Sequence, residues 1–202
     1  MQFMLACRAN GSYHQPMKNL AGTLALLLSL TFGTAHDARA DQNDPRLDQL
    51  FVHLQGVDTS DQARLIEQLI WDVWLESKSP TLKLLMGRVV SAMGQQKFDD
   101  ALKILHSVVT IEPNYAEGWN KRATVYFLLG RYEESIVDVE RTLALEPRHF
   151  GALSGLGLIY TYLRDNAGAL DAYERALKVN PHLGQAKTEV KRLRRKVKGE
   201  NI

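Results

Sequence analysis

AEGWNKRATVYFLLGRYEESIVDVERTLALEP (116–147) and FGALSGLGLIYTYLRDNAGALDAYERALKVNP (150–181) align without a gap. Pro113, Pro147 and Pro181 mark the same interval, because 147−113 and 181−147 both equal 34. A fixed period of this size is the signature of a repeat architecture. Each unit leaves an apolar face open, and a stacked neighbour covers it. Within the first stretch Trp119, Ala123 and Tyr126 are spaced i, i+4, i+7 and so share one helical face. Truncating a core tryptophan there is expected to cost about 3–5 kcal/mol. Ala123 and its counterpart Gly157 are small enough to let a partner helix approach closely. Glycine inside a helix costs about 0.5–1 kcal/mol against alanine, so Gly157 points to a packing requirement.

These stretches resemble the tetratricopeptide repeat, a helix–turn–helix unit. The first copy carries Trp119, Ala123, Tyr126, Gly130, Tyr132 and Pro147, with Ser135 where the family favours alanine. The second carries Leu153, Gly157, Tyr160, Ala169, Tyr173, Ala176 and Pro181. An earlier copy fits 82–113 through Leu85, Ala92, Phe98, Ala101, Leu105, Val108 and Pro113, though Val89 stands where the others have Ala123 and Gly157. The resemblance implies an all-α fold. It would be a right-handed α-α superhelix, a solenoid of three helix hairpins over 82–113, 116–147 and 150–181, with N- and C-terminal capping helices. Helices are expected near 81–93, 97–110, 115–128, 131–144, 149–162 and 165–178.

Local signals refine this map. Gly94 and Gly130 follow apolar runs and are expected to close A helices in left-handed turns, with Arg164-Asp165-Asn166 in that place in the last copy. Asn114 followed by Glu117 resembles a capping box. Ser79 before Pro80 reads as an N-cap followed by proline at the first helical position.

The C-terminal segment 182–202 reads as a basic capping helix. Leu183, Ala186, Val190, Leu193 and Val197 form one stripe, and Lys187, Lys191, Arg192, Arg194, Arg195, Lys196 and Lys198 occupy the remainder. At the other end, 41–80 is expected to be an N-terminal helical cap or a degenerate repeat. Its two helices, 44–55 and 60–77, flank a turn at Gly56. Trp71 and Trp74 are expected to pack onto the first repeat, the alternative being an aromatic patch that faces a partner.

Residues 1–40 read as a signal peptide, with Met17 an alternative start. Lys18 supplies the positive end, Leu20 to Phe32 an apolar run, and Ala38-Arg39-Ala40 a cleavage pattern. The run is 13 residues long (32−20+1), short of the roughly 20 a membrane span needs. Export is expected, to a bacterial periplasm, with an organelle lumen or a signal-anchored form as alternatives. Cys7 is the only cysteine, so the chain from Asp41 onward has neither disulfides nor thiolate chemistry. That segment has 22 basic (25−3) and 22 acidic (23−1) residues. From Leu183 onward there are 7 basic and 2 acidic residues, a net of +5, so 41–182 carries −5.

No catalytic constellation emerges, and the chain is not expected to be an enzyme. His53, His106, His149 and His182 are widely separated, so neither a metal nor another cofactor is expected. Ser154 lacks the flanking glycines of a nucleophile elbow. Asp99-Asp100 and Glu133-Glu134 fall where they would favour the dipoles of B helices.

The resemblance implies that A helices line a concave, peptide-binding groove. The matching lining is Lys83, Met86, Val90 and Met93, then Glu117, Asn120, Thr124 and Phe127, then Gly151, Ser154, Leu158 and Thr161. Asn120 is the expected anchor for a bound backbone, on the open face. Family members that grip a C-terminal carboxylate use cations and amides at positions matching Met86, Val90, Lys121, Gly151 and Gly155, where only Lys121 could serve. The expected function is an exported scaffold or adaptor that holds a protein or peptide in this groove, in cell-envelope assembly. The alternative is a membrane-surface or polymer-associated factor tethered by its basic C-terminal helix. Nucleic acid is not an expected partner, because no aromatics interleave with the tail's cations. A weak contact of the tail with an anionic membrane remains a partner expectation.

Overall fold

The computed structural model describes residues 41–77 and 79–199. The signal reading at 1–40 lies outside them. Among the described residues every regular element is helical. A 3-10 turn (Asp41–Asn43) precedes α1 (Arg46–Gly56), α2 (Ser60–Leu75), α3 (Pro80–Gly94), α4 (Phe98–Ile111) and α5 (Ala116–Leu128). Then follow α6 (Tyr132–Leu145), α7 (Phe150–Tyr162), α8 (Asn166–Val179) and α9 (Gly184–Val197). Helices α3 to α8 start and end within one residue of the expected map. They form three consecutive hairpins of a solenoid, each with an A helix (α3, α5, α7) and a B helix (α4, α6, α8).

Each A helix ends in the same turn. The N–H groups of Lys97, Arg131 and Asp165 donate to the carbonyls of Ala92, Tyr126 and Tyr160, each at 2.9 Å. These six-to-one bonds are Schellman closures, which place the preceding residue in the left-handed region. That residue is Gly130 (φ 72°), but elsewhere it is Gln96 (φ 57°) and Arg164 (φ 61°). The expectation for Gly94 is therefore corrected: it is the last residue of α3 and does not sit at the turning position. In the last copy the turn falls within 164–166 as expected, on Arg164.

The proposed capping box is also absent. Glu117 turns into the protein, and Tyr115, the residue at the N-cap of α5, makes no side-chain cap. Ser79 does cap α3, its Oγ accepting from the Leu82 N–H at 3.3 Å, with Pro80 first in the helix. Asp99, Asp100, Glu133 and Glu134 occupy first turns of α4 and α6, near the positive dipole ends. Gly157 is small because of packing: a Cβ there would lie 2.8 Å from the Tyr173 ring.

Trp119 is half-buried rather than a core residue. Its Nε1 donates to the Pro113 carbonyl at 2.9 Å, and the Arg122 guanidinium lies 4.8 Å from its ring. Arg122 in turn forks onto buried Asp138 at 2.7 and 2.8 Å, tying α5 to α6. The tryptophan is a lid on this pair, so its truncation removes less buried area than a core residue would.

The N-terminal hairpin α1–α2 departs most from expectation. Leu47, Phe51, Leu54, Ile70, Val73 and Trp74 cluster with Phe150 of α7, and with Val179 and Leu183 at its margin. Leu82, Met86, Val89 and Ala92 of α3 belong to a different cluster. The hairpin is thus neither a cap on the first repeat nor a stacked fourth unit. It lies along the loops that lead from B helices into A helices. Three equivalent positions, 34 apart (149−115 and 183−149), meet it in turn. Tyr115 donates its hydroxyl to the Leu75 carbonyl at 3.4 Å, the His149 ring stacks on Trp74 at 4.1 Å, and Leu183 joins the apolar cluster. Polar contacts run beside them, from Arg148 to Asp48 at 2.6 Å and from Asn180 to Glu67 at 2.7 Å.

At the other end α9 packs on α8. Ala186, Val190 and Leu193 are buried with Ala169 and Tyr173. Val197, the last member of the expected stripe, is 51% exposed and stands outside that contact.

Candidate functional site

Helix α7 presents a bare face. Its sequence places Gly151, Ser154, Gly155 and Leu158 on one side, at spacings of three and four. A Cβ at Gly155 would meet no atom within 4 Å, so packing does not demand glycine there. Two recesses open on this face and share Gly151, Gly155 and Leu158 as walls. The smaller, about 110 Å³, lies between α5 and α7 and is backed by Ala123, Val139 and Ile159. Asn120, Thr124 and Phe127 complete its rim. The larger, about 590 Å³, is a cleft with α2 as one wall through Arg64, Glu67 and Trp71, and α9 as another through Gln185 and Ala186. Phe150, Tyr173, His182 and Leu183 also line it.

The expected groove residues divide accordingly. Asn120, Thr124, Phe127, Ser154 and Leu158 line these recesses together with Gly151. Lys83 and Val90 are exposed on α3, away from both. Met86 is 5% exposed and packs in the core of the first hairpin, a correction to its groove assignment. Thr161 turns back along α7, its hydroxyl donating to the Gly157 carbonyl at 2.8 Å.

Glu117 and Asn120 require a larger correction. Both are buried, so neither stands on an open surface. The Asn120 Nδ2 donates to Glu117 Oε2 at 2.8 Å, and Lys121 Nζ sits 2.7 Å from Glu117 Oε1. His149 completes the cluster. Its Nδ1 accepts from the Ala152 N–H at 3.1 Å, so the ring proton is on Nε2, which donates to Glu117 Oε2 at 3.1 Å. Burial pushes the Glu117 carboxyl up, but the His149 hydrogen bond and the Lys121 charge prevail and hold it below the usual carboxylate range. Asn120 therefore holds a buried carboxylate through its Nδ2 while forming part of the wall of the α5–α7 recess.

The same cluster removes the last candidate for a carboxylate grip. Lys121 is spent on Glu117 and lies 5.3 Å from the Trp71 ring. Met86, Val90, Gly151 and Gly155 supply no cation at the other matching positions.

On α9, Arg192 pairs with Glu189 at 2.6 Å and Arg194 with Glu174 at 2.7 Å. Lys187, Lys191, Arg195, Lys196 and Lys198 are exposed. Among the described residues no group of three His, Cys, Asp or Glu side chains could hold a metal ion.

The hairpin's share of the site, Arg64, Glu67 and Trp71, escaped the sequence. One trace of it was available: the position just before α5, α7 and α9 carries large Tyr115, His149 and Leu183, where α3 has small Ser79. A capping position that is bulky at three successive intervals points to something packed along those loops.

Comparison with known proteins agrees with this architecture. Tetratricopeptide repeat models match residues 116–149 and 151–183. A TPR repeat-containing protein of Rhizobium etli is 39% identical over 154 residues, which are 76% of this chain and 76% of that protein. The Sgt2 TPR domain from Aspergillus fumigatus superposes with a TM-score of 0.56 at 24% identity, covering 59% of this chain and 81% of that one. The first TPR of Spaghetti (RPAP3), bound to the HSP90 peptide SRMEEVD, gives 0.55 at 22% identity over 57% of this chain and 92% of that one. At these identities the structural likenesses show the fold.

Proposed function

As the chain belongs to the tetratricopeptide repeat family, we propose that it is a non-enzymatic scaffold that holds a protein or peptide partner against the concave face of its repeats. One observation carries this reading: two recesses meet on α7 over Gly155, where nothing in the fold requires the side chain to be missing. The peptide seen on the Spaghetti repeat supports a ligand of the same kind. That peptide is acidic at its C-terminus, and the side chains here favour a different one, because Lys121 is already neutralised. Thr124→Arg places a charge on an exposed rim residue. It is expected to abolish partner crosslinking in the producing cell while helicity and melting stay unchanged. An unaltered crosslinking pattern would remove the groove from the function.

The place of action we propose is the periplasm, with a role as an adaptor in envelope assembly. The support is the leader sequence from Met17 to Ala40. N-terminal sequencing of the protein recovered from its host tests it: a start at Asp41 is expected, and a retained leader in a cytosolic fraction would overturn it.

A second reading rests on α9. Lys187, Lys191, Arg195 and Lys198 share its outward side, and no described acidic residue pairs with them. At about 1 kcal/mol per cation near an anionic lipid surface, four suffice for a salt-sensitive contact. Binding to anionic vesicles that persists at high salt would exclude this electrostatic mode, since screening weakens it.

A further inference from the structure

We propose that the ligand is an extended, non-acidic peptide held by two apolar side chains on one face. A small aliphatic one enters the α5–α7 recess, and a bulkier one enters the cleft walled by α2, which makes the N-terminal hairpin part of the site. This inference rests on the groove reading above.

Size separates the two anchors. A dry cavity of about 150 Å³ accommodates benzene. At about 110 Å³ the α5–α7 recess is smaller than that and suits a branched aliphatic side chain. The cleft, at about 590 Å³, falls in the range of roughly 300–1,000 Å³ typical of ligand pockets. Trp71, Phe150 and Tyr173 give it aromatic walls that suit a large apolar group.

Between the two recesses lies Gly155, a ridge of bare helix over which a peptide backbone can pass closely. Same-face side chains of an extended strand are about 6.6 Å apart, two residues along. That spacing lets neighbouring same-face residues straddle the ridge.

Charge decides what the peptide lacks. Arg64 pairs with Asp61, Glu67 accepts from Asn180, and Lys121 is held by Glu117. The cations that border the cleft on α2 and α5 are thus already paired, while Glu67, hydrogen-bonded by the neutral Asn180 amide, keeps its negative charge, so an acidic ligand finds no counter-charge there. His182 also lines the cleft, and its Nε2 is buried without a protein hydrogen-bond partner.

The test uses the full chain and a phage-displayed library of random dodecapeptides. Selected peptides are expected to share an aliphatic and an aromatic residue two positions apart. Their affinities are then measured on two variants made at exposed positions. Thr124→Trp fills the rim of the α5–α7 recess, and Gln185→Trp fills the mouth of the cleft from α9. Each is expected to weaken binding about tenfold or more, as loss of a buried anchor does. Loss with Thr124→Trp but not with Gln185→Trp would overturn the cleft while leaving the groove reading intact. Indifference to both, or no peptide recovered, would overturn the two readings together. Circular dichroism of each variant confirms that the helices persist.

Discussion

The two ends of the solenoid are covered in different ways. At the C-terminus α9 lays Ala186, Val190 and Leu193 on α8 and its immediate neighbourhood, as an ordinary next unit would. At the N-terminus the hairpin bypasses α3 and reaches residues 115, 149 and 183, each a repeat further along. The first arrangement is local, and its energy adds to that of one interface. The second ties three units to one element, so loosening it loosens all of them. The comparison teaches that repeat stability here is not a sum of nearest neighbours alone.

The largest effect expected is at Trp74, which is 2% exposed and stacked on His149. Trp74→Ala is expected to cost about 3–5 kcal/mol in denaturant unfolding. The pattern matters more than the size. Hydrogen exchange should quicken in α1–α2 and also near Tyr115 and His149. Leu193→Ala, in a comparable core position, should cost about 2–5 kcal/mol and affect exchange in α8 and α9 only. If the two variants gave equally local patterns, the contrast between the ends would be broken.

Glu117 comes next, because its carboxylate joins α5 to the His149 that the hairpin covers. Glu117→Gln is expected to cost about 1–3 kcal/mol, the usual result of disturbing one partner in a buried polar cluster. Its pH dependence has a definite sign. The folded carboxyl is held below its ordinary value of 4.5, so its contribution is fully present above that pH. It is lost as pH falls through the lower, folded value. Wild type should therefore weaken in acid more steeply than Glu117→Gln, as unfolding midpoints at pH 7 and pH 3 would measure. Identical acid slopes would sink the assignment.

The repeats were legible because stacking is periodic: Ala123, Gly157 and the three prolines recur in register, and the helix ends follow from them. Of the lining that the family resemblance implies, Thr124, Phe127, Ser154 and Leu158 do border the two recesses. Glu117 and Asn120 were misread because helix phase cannot tell an open face from one covered by a distant segment. The hairpin's docking depends on contacts some 40 to 123 residues away in sequence, for which a single chain carries no periodic signal. One left-handed turn was misread differently. Gly94 drew attention by its residue type, while the geometry falls on Gln96.

Two glycines on α7 sharpen the contrast between packed and open surface. Gly157 faces Tyr173, so Gly157→Ala overpacks and should destabilise by about 1–3 kcal/mol. Gly155 faces only the recesses, so Gly155→Ala should stabilise by about 0.5–1 kcal/mol. Opposite signs two residues apart in melting experiments are expected. Equal losses would mean that the bare face is filled in solution.

The smallest effect is at Arg164, which closes α7 with φ 61°. A left-handed residue with a Cβ is strained by about 1–2 kcal/mol. Arg164→Gly relieves that strain but adds about 0.4–1 kcal/mol of unfolded-chain entropy. A net gain of about 0.5–1 kcal/mol remains. Gly130 already occupies the equivalent turn one repeat earlier, which shows that the closure accepts glycine without rearrangement. Because Arg164 lies in the last repeat, the gain should slow exchange in α7, α8 and α9 and leave α1–α2 as it was. Protection that spread to the hairpin would show that the C-terminal end, too, is coupled across the solenoid, and the distinction between the two ends would have to be given up.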